Sequence, residues 1–292
     1  MSVDGLPRGV RSFVTLPAHE HEDYWDSIVV PPEVKDRLLG SALLALLHGR
    51  KLASAAPACA LNGLIVLAGP PGTGKSTLAR GLTRMAADTL RDSGSTAVLE
   101  IDAHALPSEL LGESQRNVVR LLRDSVPELA RRGRHAMVVI DEVESFAIDR
   151  RSASFETNPV DVQRATDAVL EGMDHLRAEL PGVVFVTTTN FPGAVDEAFL
   201  SRADLVTELA LPDAPTRQEI LRRALTDLLP VWPGLRDLAA DEALLTELAL
   251  ASDGWDGRAL RRLPLAAAAA DPDLARDPGR LSADGLRAAM KS

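Results

Sequence analysis

Residues 64–82 read LIVLAGPPGTGKSTLARGL. Five apolar residues run into a glycine-rich loop, and the loop opens a helix-like stretch. In the pattern G-x-x-x-x-G-K-S the glycines let backbone N–H groups wrap phosphate oxygens, and the helix N-terminus that follows adds its positive end. The segment therefore reads as a grip for a nucleoside triphosphate. Lys75 is placed to neutralise the β and γ oxygens and Ser76 to offer a hydroxyl to Mg2+. Gly69, Pro70, Pro71, Gly72, Thr73, Gly74 and Thr77 complete the cradle.

Outward from this loop the chain alternates short apolar runs with helical segments. AVLEI (97–101), MVVID (137–141), VVFVTTT (183–189) and LVTEL (205–209) join LIVLA (64–68) as predicted strands. Runs that are apolar throughout suit strands covered on both faces, and helical crossovers favour a parallel sheet with ligands at the carboxyl ends of the strands. The expected fold is an α/β P-loop domain with a five-stranded parallel sheet between helices, followed by a small all-helical lid. Upstream, PPEVKDRLLGSALLALLHGRKL reads as a helix whose face carries Val34, Leu38, Leu39, Ala42, Leu43, Leu46 and Leu47. Residues 1–22 show no periodicity and read as a flexible arm. The α/β domain is then expected over 23–211 and the lid over 212–292.

Two further stretches carry chemistry at predicted strand ends. MVVIDEVES ends a buried strand in Asp141, set to hold Mg2+ directly or through water, and Glu142, set to polarise the attacking water. TTTN puts the Asn190 amide where it could orient that water, although an asparagine before Phe-Pro also suits a plain turn. HEHED, by contrast, reads as a solvated acidic tract and not as a metal site.

Composition excludes several classes. A formal net charge of −10 and 25% charged residues argue against a broad nucleic-acid face, which needs clustered positive charge. No apolar run reaches the ~18 residues of a membrane span. The single cysteine, Cys59, forms no internal disulfide, so a reducing, cytoplasmic setting is expected.

Taken together, GPPGTGKST, VVIDEVE, TTTN and the helical segments after LPDAPT resemble the AAA+ ATPases over roughly residues 24–290. That resemblance implies a ring, usually hexameric, in which each site is completed by a neighbour. It makes Arg202, in AFLSRADL, the finger reaching a neighbour's γ-phosphate, with a surface pair to Asp204 as the plainer alternative. Arg258 in GWDGRALRRLP matches the second sensor, with Arg261 and Arg262 as competitors. YWDSIVV resembles the segment that touches adenine, which makes Ile28 and Val29 adenine contacts and Trp25 core packing.

WDSIVVPPEVKDRLL, DEVESFAIDR, DAVLEGMDHL and GWDGRALRRLPLAAAA resemble the pachytene-checkpoint-type remodellers, whose lid carries G-x-S-G-R-x-L-R-K-L-P. That branch converts HORMA-domain proteins, and its short bacterial relatives accompany HORMA proteins and cyclic-oligonucleotide synthases in antiphage signalling. By the same resemblance HALPSELLGESQ is the client-gripping channel loop, with Leu110, Leu111 and Gly112 where relatives carry an aromatic grip; Arg150 and Arg151 belong to a second such loop. About twenty residues precede the ATPase segment, too few for an adaptor-binding domain. A remodeller is the favoured expectation; a nucleic-acid loader or initiator and a nucleotide-gated assembly scaffold are the alternatives.

Overall fold

In a computed structural model of the chain, residues 5–17, 24–103, 113–145 and 159–291 are described. Six strands form one sheet: β1 (Val10–Leu16), β2 (Leu64–Ala68), β3 (Thr96–Ile101), β4 (His135–Ile140), β5 (Val184–Thr189) and β6 (Leu205–Glu208), in the order β1-β3-β4-β5-β2-β6. The five strands expected from apolar runs all pair in parallel. β2, β4 and β5 are buried along their whole length, as strands covered on both faces must be.

β1 corrects two expectations. Residues 10–16 do not belong to a flexible arm but pair antiparallel with β3, Val14 opposite Val98 and Leu16 opposite Thr96, and so add a sixth strand to the sheet. Only Val10 and Leu16 are buried, so the alternation that marks a half-covered strand is blurred, and the register slips between Val10 and Ser12.

The strands belong to a compact unit made of residues 1–69 and 75–208. Its helices are α1 (Tyr24–Ser27), α2 (Pro32–Ala55), α3 (Lys75–Thr89), α4 (Glu113–Arg120), α5 (Val126–Ala130), α6 (Pro159–Glu179) and α7 (Glu197–Leu200). α2 and α3 pack on the sheet with α1 laid over α3, while a π turn over Leu121–Ser125 joins α4 to α5 beside α6. Leu64, Val66, Leu99, Val138, Ile140 and Phe185 from the sheet share a core with Leu121, Val126, Leu129, Met173 and Leu176. α2 meets the sheet through Leu38, Ala42, Ala45, Leu46 and Gly49; Leu47, expected on the buried face, is 48% exposed. Gly49 explains the rotation: a Cβ there would lie 2.9 Å from the Gly182 Cα, so the helix approaches the turn before β5 through its smallest residues.

The second unit comprises Leu209–Ser292 together with the short stretch Pro70–Gly74. It is helical: α8 (Ala214–Leu228), α9 (Arg236–Ala240), α10 (Glu242–Ala251), α11 (Gly257–Ala269), α12 (Pro272–Arg276) and α13 (Ala283–Ala289). Asp213, Asp241, Asp256, Asp271 and Ser282 cap helix N-termini by accepting backbone N–H bonds, which satisfies donors that would otherwise be orphaned. Ile220, Leu221, Leu225, Leu244, Leu245, Leu248, Leu260, Leu263 and Leu286 are buried between them.

Candidate active site

The glycines of the phosphate loop carry the conformations the motif demands. Gly69, Gly72 and Gly74 have φ of 142°, 79° and 89°, a region where side chains with a Cβ are strained. The Gly69 N–H donates to the Thr189 carbonyl at 3.2 Å, which fastens the loop's first residue to the end of β5. Lys75, 5% exposed at the start of α3, donates from Nζ to the Gly69 carbonyl at 2.7 Å.

Ser76 follows, and its Oγ donates to Asp141 Oδ1 at 2.7 Å, across 65 residues of sequence. A hydroxyl and a carboxylate held together beside a phosphate loop form an oxygen-donor set, which suits a hard cation such as Mg2+. Asp141 comes directly after β4. The β4–β5 pairing sets Ile140 opposite Thr187, so Asp141 continues opposite Thr188. The Thr188 hydroxyl donates to Asp141 Oδ1 and accepts the Glu142 N–H at 3.0 Å.

Among the described residues Glu142 alone combines a side chain with a positive φ, 55°. That left-handed conformation costs a non-glycine residue about 1–3 kcal/mol and persists only where the surroundings enforce it. Asn190 supplies one constraint, donating from Nδ2 to Glu142 Oε1 at 3.1 Å. Its backbone N–H in turn donates to Glu144 Oε1 at 3.0 Å, while Glu144 Oε2 is buried without a hydrogen-bond partner. Thus the ends of β2, β4 and β5 bring Lys75, Ser76, Asp141, Glu142 and Asn190 together.

Sequence reasoning passed over Thr188 and Glu144. A strand buried along its whole length yet ending in three threonines is the available signal, because a buried hydroxyl must find a partner.

The remaining candidates fall elsewhere. Ile28 and Val29 follow α1 and are half-buried; Trp25 packs in the core at 9% exposure, with Lys35 Nζ 5.4 Å above its ring. Arg202 does not pair with Asp204: it donates to the Ala198 carbonyl at 2.8 Å and meets Asp174 at 3.3 Å. Asp204 instead accepts the backbone N–H groups of Asn62, Gly63 and Leu64, which ties the start of β2 to the start of β6.

Within the helical unit, a Cβ on Gly72 would meet the Asp256 carboxyl carbon at 2.2 Å, and one on Gly257 would meet the Gly72 carbonyl at 3.3 Å. The N-terminus of α11 therefore abuts the loop stretch that belongs to its own unit, and Arg258 is the next residue along, exposed at the surface. Arg261 faces Asp227 at 3.6 Å, and burial lowers its pKa, with Asp227 opposing that shift and Arg223 adding to it. Leu110, Leu111, Gly112, Arg150 and Arg151, and the HEHED tract, lie outside the described residues. No described helix is long and apolar enough to cross a membrane.

Residues 65–211 match the family described as ATPase family associated with various cellular activities (AAA). Over 286 residues the chain is 42% identical to CD-NTase-associated protein 6 of Pseudomonas aeruginosa, covering 98% of this chain and 92% of that protein. It is 31% identical over 302 residues to the pachytene checkpoint protein 2 homolog of Arabidopsis thaliana, covering 94% of this chain and 64% of the plant protein. A solved structure of C. elegans PCH-2 superposes with a TM-score of 0.76 at 24% identity, over 96% of this chain and 76% of that one. The E. coli MS115-1 HORMA:CdnC:Trip13 complex does so with a TM-score of 0.76 at 20% identity, over 97% and 95%. At these identities the two structures speak to the fold.

Proposed function

This chain belongs to the AAA family of ATPases, and from that premise we propose that it lies on the pachytene-checkpoint-2 branch and hydrolyses ATP to remodel a HORMA-domain protein in a bacterial antiphage system that includes a CD-NTase. The observation that carries the hydrolysis reading is the pair of hydrogen bonds at Asp141 and Glu142, one from Ser76 at 2.7 Å and one from Asn190 at 3.1 Å. Similarity at 42% identity to a CD-NTase-associated protein supports the biological setting, which is cytoplasmic on this reading.

In this mechanism the phosphate loop and Lys75 bind the triphosphate, and Glu142 takes the proton of the attacking water. Asn190 keeps the Glu142 carboxylate aimed. Ser76 and Asp141 would hold Mg2+, which would supply positive charge to the triphosphate. Arg258 of the lid is the second sensor on this reading, because it follows the Asp256–Gly257 pair that abuts Gly72, whereas Arg261 is engaged with Asp227. Ile28 and Val29 meet adenine.

A hexamer would complete the site, with Arg202 offered to a neighbour's γ-phosphate. Releasing Arg202 breaks its bond to the Ala198 carbonyl, about 0.5–1.5 kcal/mol, and its pair with Asp174, whose side chains are 34% and 46% exposed and which contributes under about 1 kcal/mol. Leu110, Leu111 and Gly112, with Arg150 and Arg151, are the channel residues that would act on the client.

Glu142→Gln tests the reading. Hydrolysis is expected to fall by at least about 100-fold while ATP stays bound, because the base is lost and the phosphate loop is intact. Mass spectrometry of what co-purifies with this trapped variant should then find a HORMA-fold protein. Undiminished hydrolysis would remove Glu142 from the mechanism, and nucleic acid recovered without a protein partner would move the chain to the loader class.

A further inference from the structure

The Thr188 hydroxyl stands between the two acidic residues that follow β4. It lies on β5 and is 1% exposed, shielded from bulk solvent. As donor it meets Asp141 Oδ1, and as acceptor it takes the Glu142 N–H at 3.0 Å. A hydroxyl has one proton to give, and here that proton goes to the carboxylate that also receives Ser76 Oγ at 2.7 Å. Two hydroxyls on Oδ1 fix the rotation of the Asp141 carboxylate. The accepted bond acts on Glu142 at the residue whose φ is 55°, a left-handed conformation that residues with a Cβ seldom adopt.

We propose that Thr188 is a positioning residue for ATP hydrolysis: one buried hydroxyl sets both the carboxylate that faces the metal and the backbone that aims the water-activating glutamate. The proposal rests on the hydrolytic reading of Asp141 and Glu142. The hydroxyl of Thr188 is bonded to those two residues, and its role in the reaction runs through them. Its effect should therefore appear in the rate of the chemical step and in whatever part of nucleotide affinity depends on Mg2+. Metal-free affinity, which belongs to the loop and Lys75, should stay as it is.

Valine matches threonine in shape and lacks only the hydroxyl, so Thr188→Val removes both bonds without opening a cavity. Thr188→Ser keeps the hydroxyl and deletes a methyl. Each variant is measured two ways, by single-turnover hydrolysis of ATP and by binding of a fluorescent non-hydrolysable ATP analogue with and without Mg2+. In Thr188→Val we expect hydrolysis to fall by about 10–100-fold, the range seen when partners of metal ligands are removed. The gain in analogue affinity on adding Mg2+ should shrink while metal-free affinity stays within about threefold, and Thr188→Ser should recover most of the rate.

Wild-type hydrolysis in Thr188→Val would overturn the proposal. So would an equal loss of analogue binding with and without Mg2+, which would mark a residue needed only for folding. A third refutation is a Thr188→Ser variant as slow as Thr188→Val. Glu142→Gln run in parallel separates the two levels: if it still hydrolyses ATP, the hydrolytic reading fails, whereas a dead Glu142→Gln beside a fully active Thr188→Val sinks the positioning role alone.

Discussion

Gly40 and Gly81 are both helical glycines of the unit that carries the sheet, yet alanine should act on them with opposite sign. Gly40 lies within α2, where a Cβ would meet nothing within 4 Å. Replacing it should add about 0.5–1 kcal/mol of stability, the usual gain when a glycine in an exposed helix becomes alanine. Gly81 lies within α3, where a Cβ would stand 2.8 Å from both Trp25 Cα and Trp25 N, and 3.1 Å from Tyr24 C. Carbon contacts settle near 3.5 Å, so the backbone of α1 would have to retreat by about 0.7 Å. Overpacking of this kind costs about 1–3 kcal/mol, and the helix gain of about 1 kcal/mol only partly offsets it. The two variants should thus differ by about 2 kcal/mol, read as urea midpoints moving in opposite directions under circular dichroism. Because α1 leads into Ile28 and Val29, Gly81→Ala should also weaken ATP binding several-fold, and Gly40→Ala should leave it unchanged. A Gly81→Ala chain as stable as Gly40→Ala, with unaltered nucleotide affinity, would refute the close approach of α1 to α3.

Two other perturbations follow from buried charge. His135, 8% exposed at the start of β4, has its pKa lowered from the ordinary value, first by burial and then by Arg134, while a bond to the Leu46 backbone opposes the shift. A folded-state pKa below the unfolded value means that the unfolded chain binds the proton more readily. Stability is therefore full above about pH 6.5 and is lost as pH falls towards and through the folded pKa; His135→Gln should flatten the limb of a denaturation series below about pH 6.5. Arg217 of α8 is 6% exposed and donates to the carbonyls of Ala249 at 2.8 Å and Pro212 at 2.9 Å. Arg217→Met should destabilise the helical unit by about 3 kcal/mol by orphaning both acceptors; unchanged unfolding by Trp232 and Trp255 fluorescence would count against it.

How far the sequence announced all this depends on what each residue is constrained by. The phosphate loop and the acid pair were legible because phosphate and cation chemistry admit few residue types. The five parallel strands were legible because a strand covered on both faces can hold little but apolar residues. β1 was not, since its partner lies some eighty to ninety residues away at Thr96–Ile101 and only its two ends are buried. The buried face of α2 was read almost correctly but was turned towards Leu47, because hydrophobicity does not report that Gly49 permits the closest approach. Arg202 and Asp204 were adjacent enough to suggest a pair; the three backbone N–H groups at Asn62–Leu64 compete for that carboxylate and win.

The site itself depends on something no motif records, the register of β5. Its neighbours are β2 on one side, with Ala68 opposite Thr189, and β4 on the other, with Ile140 opposite Thr187. These pairings bring the loop after β2 and the acids after β4 to the same level as Thr188 and Asn190. Sliding β5 by a single residue would turn every one of its side chains to the opposite face. Thr188 would then leave Asp141 and Glu142, and Asn190 would leave the carboxylate it holds, with GPPGTGKST, DEVES and TTTN all unchanged in the sequence. What holds that register is the core: Phe185, 1% exposed, is seated among Leu64, Val138 and Leu176, and a slip would drive it out while opening a cavity of aromatic size. Such a loss, about 3–5 kcal/mol for deletion of a buried phenyl ring, exceeds what any hydrogen bond at the site contributes. Packing around Phe185 therefore aims the polar groups of the site, although it lies outside every motif.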